Sequence, residues 1–103
     1  MLDQIRQINQ GLDKRFPEGR DPFQIMTRLA EECGELAAQV NHFENSGVKR
    51  LKHGEPDKTK LAKEVMDVLR CALQIAAYYQ AEGELEAVVA HSHRYMQAQG
   101  LIE

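Results

Sequence analysis

"RLAEECGELAAQV", residues 28–40, puts Glu31, Glu32 and Glu35 into little more than one helical turn and sets Gly34 among them. Leu29, Cys33, Leu36 and Val40 recur at helical spacing. On a wheel of about 100° per residue the last three fall within about 40° of Leu29, which marks a core-facing stripe. Glu32 and Glu35 then lie about 60° and about 120° to one side of that stripe. Alone, such a pair is an ordinary solvated face.

The same design recurs about thirty residues on. With Leu61 as origin, Val65, Val68 and Ala72 mark a stripe, and Glu64 and Asp67 fall about 60° and about 120° to the same side. Two segments thus carry an acidic pair on the same flank of a packing seam. If they pack together, four carboxylates converge and repel one another, and a divalent cation removes the penalty. Oxygen donors without His or Cys suit Mg²⁺ or Mn²⁺ better than zinc. Gly34 would let a neighbouring helix or ligand approach beside Glu35, and as a helix interior residue it costs about 1 kcal/mol relative to alanine.

Working outward, the first acidic helix opens at "DPFQ", with Asp21 as N-cap, Pro22 at the first helical position and Gln24 placed to close a capping box. Its stripe continues through Ala37 and Phe43, and "ENSG" ends it near Gly47. The second runs from about Asp57 to Glu82 with Ile75 and Tyr79 also inward, and Gly83 interrupts it. A preceding helix spans about Leu2 to Leu12, carrying Leu2, Ile5, Ile8 and Leu12, and "KRFPEGRD" breaks it. A last helix carries Leu85, Val88, Val89, Ser92 and Met96 before Gly100 stops it. Pro17, Pro22 and Pro56 all sit at element boundaries, and no period-2 alternation marks a strand. The expectation is an all-α, four-helix bundle-type domain formed by residues 1–103.

With 43% apolar and 28% charged residues the composition is that of an ordinary globular chain. A net charge of −3 gives no global attraction to a nucleic acid polymer or an anionic membrane. No apolar run suits a membrane span and the start lacks the form of a signal peptide, so a cytoplasmic protein is expected. Cys33 and Cys71 read as buried thiols, not as a disulfide or a zinc pair.

"EECGEL" followed by "KEVMDVL" resembles the signature of the MazG-like all-α nucleoside triphosphate pyrophosphohydrolases, E-x-x-E on one helix and E-x-x-D on the next. The resemblance spans about residues 23–80. It implies that Glu32, Glu35, Glu64 and Asp67 bind Mg²⁺ and form the catalytic site. It further implies hydrolysis of a nucleoside triphosphate to monophosphate and pyrophosphate, in homodimers or homotetramers. The base, and the choice between normal and damaged nucleotides, stay open. Lys60 stands where the family often has a basic residue, with Lys63 nearby. Together with Lys49, Arg50, Lys52 and Lys58 they make up six of the 13 Lys and Arg residues, a group suited to phosphate or simply to solvent. On its last helix the family commonly has Lys with Asn or Arg; "AHSHRYM" departs from this, with no Lys, and leaves Arg94 as the candidate.

Asn41, His42 and Phe43 could touch a base but read first as a helix end. Tyr78 and Tyr79 read as packing or interface residues, and Glu31 as solvated. Two rivals stand beside the enzyme. A di-iron carboxylate bundle needs E-x-x-H pairs, and no His here has Glu three residues before it. A non-catalytic helical oligomerisation or regulatory module could retain the acidic helices, and Mg²⁺ dependence separates it from the enzyme.

Overall fold

The computed structural model describes residues 1–44 and 54–103. Lys49, Arg50, Lys52 and Gly47 lie outside the described residues. The described chain is all-α: α1 (Leu2–Arg15), a short 3₁₀ turn (Pro17–Gly19), α2 (Pro22–Phe43), α3 (Lys58–Tyr78) and α4 (Glu82–Ala98). None of these helices is long and apolar enough to cross a membrane.

The helix boundaries follow local chemistry. Asp21 Oδ1 accepts from the backbone N–H groups of Phe23 (2.8 Å) and Gln24 (3.0 Å), satisfying two orphan donors at the start of α2. The Gln24 side chain makes no return bond, so the expected capping box is half formed. Asp57 caps α3 in the same way through Thr59 N–H, 2.7 Å. α1 outruns its expected end at Leu12 by a turn, because Lys14 and Arg15 favour a helix C-terminus. It stops where Pro17 forces Phe16 out of helical geometry, to φ −130° and ψ 67°.

The break between α3 and α4 comes earlier than expected. Gln80, not Gly83, leaves the helix, at φ 54°. Ala81 N–H reaches Ala76 O (2.8 Å) and Gln80 N–H reaches Ala77 O (3.1 Å), the paired bonds of a Schellman cap. Gly100 ends α4 with the same pattern at φ 72°, as expected.

α2 packs chiefly against α3, and α1 lies across α3. Ile5, Ile25 and Cys71 form the buried apolar centre, with Asn9, His42, Asp67 and Gln74 buried beside them. Several residues expected inward are not: Cys33, Ala37 and Val40 on α2, and Val65, Ala72 and Tyr79 on α3, are exposed. Leu2 and Ile8 on α1 are exposed too. The covered face of α2 centres on Ile25, Glu32 and Phe43, and that of α3 on Glu64 and Cys71. Relative to the expected stripes, these faces are turned toward the carboxylates by about 50° on α2 and about 80° on α3. Each helix carries an apolar band wider than one neighbour can cover, and α1 covers the Asp67 side of α3 through Asn9, whose Nδ2 donates to Arg70 O at 3.0 Å.

From Gly83 to Ala98 every residue of α4 is exposed, including the expected stripe of Leu85, Val88, Val89, Ser92 and Met96. Its start is tied to α1 by Arg6 Nε on Glu82 Oε2, 3.0 Å. The radius of gyration is 16.9 Å, against about 13 Å for a compact chain of 100 residues.

Candidate metal centre

Three of the four expected carboxylates meet. Glu32, Glu35 and Glu64 each offer an oxygen, and the three oxygens lie within 4.8 Å of one another. Glu32 and Glu35 stand one turn apart on α2, and Glu64 projects from the facing turn of α3. Asp67, one turn further along α3, is buried, and both its oxygens have cationic neighbours. Lys63 Nζ donates to Oδ2 at 2.9 Å, and Arg70 Nε stands 3.6 Å from Oδ1. The Asp67 contact raises the pKa of Lys63, so this ammonium stays charged.

The charges of this group are unbalanced where they are most covered. Burial first, then the negative charge of Asp67, a hydrogen bond from the protonated carboxyl to Glu64, and the charges of Glu35 and Glu64 push the Glu32 carboxyl up to about 7. Glu32 Oε2 and Glu64 Oε2 are buried without a hydrogen-bond partner. Two orphan carboxylate oxygens beside a third acidic group are what a hard divalent cation neutralises, and they are all-oxygen donors. The residues therefore fit Mg²⁺ or Mn²⁺.

Other expected site residues stand elsewhere. Lys60 and Arg94 are exposed and make no hydrogen bond or ion pair with these carboxylates. Gly34 has open space where a Cβ would stand, so nothing among the described residues uses the close approach it permits. Cys71 is fully buried as expected, its thiol pushed up by burial, whereas Cys33 is exposed. His42 is buried with Nε2 2.7 Å from Gly54 O, a contact that joins the end of α2 to the approach to α3.

Arg70 is the residue that motif reading missed. Its place three residues after Asp67, one turn on along the same helix, was the available signal. Arg28 was missed as well; its Nη2 donates to Gly19 O at 2.6 Å. It sits on the covered face of α2 one turn before Glu32.

Comparison with known proteins identifies the family. The family of the MazG nucleotide pyrophosphohydrolase domain matches residues 20–97. This chain belongs to the MazG family. The match takes in α2, α3 and most of α4, and so both acidic pairs. A Bacillus subtilis (strain 168) protein described as "Uncharacterized protein YpjD" is 46% identical over 56 residues, 53% of this chain and 48% of that protein. The match thus spans about half the length of this relative. No solved structure matches.

Proposed function

We propose that this MazG-family chain is a Mg²⁺-dependent nucleoside triphosphate pyrophosphohydrolase, with Mn²⁺ as the alternative ion. The observation that carries the reading is the convergence of Glu32, Glu35 and Glu64 with two buried carboxylate oxygens unpartnered. Glu32, Glu35, Glu64 and Asp67 are the residues to hold the metal. Bound there, the ion would supply charge neutralisation for phosphate oxygens and a water of lowered pKa for attack on the α-phosphorus.

The chain's own groups have distinct work. Asp67, held between Lys63 and Arg70, is fixed in orientation before any ligand arrives, which lowers the reorganisation needed on binding. Lys63 keeps a positive charge at the rim of the acidic group and serves a phosphate there. Lys60, one turn before Glu64, and Arg94 are the further phosphate contacts.

Assembly belongs to the same proposal. Leu85, Val88, Val89 and Met96 on α4 and Val65 and Leu69 on α3 are exposed. An apolar groove of about 530 Å³ between Leu69, Ala72, Leu85 and Val88 separates the two helices. Apolar surface on this scale is a contact waiting for a partner, and a homodimer or homotetramer covers it. Arg94 stands on that uncovered helix, so its phosphate role is assigned within the assembly. We place the activity in the cytoplasm.

The test is a screen of canonical and modified nucleoside triphosphates with Mg²⁺ or Mn²⁺, following pyrophosphate. Metal-dependent release from at least one substrate is the expected result. No release from any of them, together with no effect of Mg²⁺ on thermal stability, would leave a non-catalytic helical module.

A further inference from the structure

We infer that Arg28 and Arg70 form an oxyanion pocket beside the acidic group, which takes the terminal phosphates of the substrate and so selects triphosphates over diphosphates. The inference rests on the proposed pyrophosphohydrolase reading and assigns that site its chain-length specificity.

Arg28 stands one turn before Glu32 on α2, and Arg70 one turn after Asp67 on α3. Both lie at the end of the carboxylates opposite Lys60, and they line one pocket of about 380 Å³. Leu12 and Phe16 give it apolar walls, which strengthen electrostatic contacts inside it. Asp13 is the carboxylate on the lining, and it forms no ion pair with either arginine. Two cations against one carboxylate leave the pocket positive in a chain whose net charge is −3.

These arginines are short of acceptors. Arg6 on α1 shows the contrast, with carboxylate oxygens of Asp3 at 2.8 Å and Glu82 at 3.0 Å. The Arg70 side chain is only 13% exposed, yet its charged neighbour Asp67 stands 3.6 Å from Nε, beyond hydrogen-bond distance. Lys63 already holds the other Asp67 oxygen at 2.9 Å. Among the described residues the Arg70 guanidinium has no other partner. A covered guanidinium with unused donors carries a desolvation cost that an anion offsets. Arg28 spends Nη2 on a neutral acceptor, Gly19 O at 2.6 Å, and no carboxylate among the described residues pairs with it. Gly19 also keeps Nη1 uncovered, since a Cβ there would stand 3.2 Å from that atom.

Phosphate suits this donor set, because a guanidinium fork matches phosphate oxygens in pairs. One helical turn is about 5.4 Å, a step that the anhydride links of a triphosphate span. With the α-phosphate at the carboxylates, the outer phosphates reach the arginines, and a diphosphate lacks the last of them. The departing pyrophosphate gains charge as its bond to the α-phosphorus breaks, and the arginines face that charge.

The test compares the most active triphosphate with its own diphosphate. In parallel, inorganic pyrophosphate is titrated by NMR without metal, against NaCl at matched ionic strength. The triphosphate should exceed the diphosphate in kcat/KM by at least about tenfold, the worth of a charged hydrogen bond. Arg28→Gln and Arg70→Gln should each bring that ratio to within about threefold. Pyrophosphate should shift the Arg28 and Arg70 side-chain Nε–H resonances, and NaCl should not. Asp13→Asn removes the opposing carboxylate and keeps both arginines, so pyrophosphate should bind at least about threefold tighter. A purely structural role for the arginines would not move that affinity, and where an arginine variant fails to fold, Asp13→Asn decides. Equal turnover of both nucleotides by the wild type, or a ratio that survives both arginine substitutions, overturns the pocket and leaves the pyrophosphohydrolase standing. If no nucleotide is hydrolysed, the titration decides. Pyrophosphate shifts at both arginines then uphold an oxyanion pocket with a free anion as its occupant, and their absence overturns it.

Discussion

The seam between α2 and α3 and the outer helix α4 break the usual pattern of a small domain in opposite ways. In the seam, Glu32, Glu64 and Asp67 occupy covered positions that apolar side chains would fill at lower cost. On α4, apolar side chains stand in solvent where charged ones would do better. Both are departures a stable scaffold has no use for. The difference between them is what the two proposals rest on: a cation for the first and apolar protein surface for the second.

The largest expected effect breaks the seam. Glu35→Gln and Asp67→Asn should each lower Mg²⁺-dependent pyrophosphate release at least about a hundredfold, because the metal is worth several kcal/mol to the transition state. Circular dichroism should show the helices intact; turnover like the wild type in both variants would remove the carboxylates from the mechanism. Next comes α4. Val88→Asp combined with Val89→Asp withdraws two apolar side chains worth about 1.5–3 kcal/mol each when buried. The double variant should run as a smaller species than the wild type in light scattering, and equal masses would show that α4 is not the contact.

A smaller effect sharpens the electrostatic half of the comparison. Glu32 holds its proton up to about pH 7 in the folded chain, against 4.5 for its ordinary value. Between those limits the folded state binds the proton that the unfolded state has lost, so stability falls as pH rises, and the penalty is complete above about 7. Without metal, the Tm should therefore be higher near pH 5 than near pH 8, and Glu32→Gln should flatten that slope. Saturating Mg²⁺ at pH 8 should restore about 2–3 kcal/mol at a hundred times Kd, and Glu64→Gln should lose this gain. The smallest effect lies in the joint. Gln80→Gly relieves a left-handed residue and should raise stability by about 0.5–1 kcal/mol, read as a Tm rise of a few degrees. No change would mean that the α3 cap carries no strain.

Much of this was readable from one-dimensional pattern. Asp21, Pro22 and Gly100 act through neighbours a few residues away, so the start of α2 and the end of α4 followed from local rules. The E-x-x-E and E-x-x-D pairs were legible because helical phase depends only on spacing. Gln80 was not, since a glycine three residues on offered the stronger local signal and the chain turned earlier. Arg28 and Arg70 were hidden for another reason: their value comes from Gly19 and Asp67, and neither contact leaves a mark in hydropathy.

Helix type, acidic spacing and family pattern were properties of the linear chain, because each rests on neighbours within about two turns. Which side of α2 and α3 became the seam was settled only by packing. Both helices have apolar bands too broad for one contact, and α1, docking through Asn9, selected the edge that draws Glu32 and Glu64 inward and leaves Val65 and Leu69 outside.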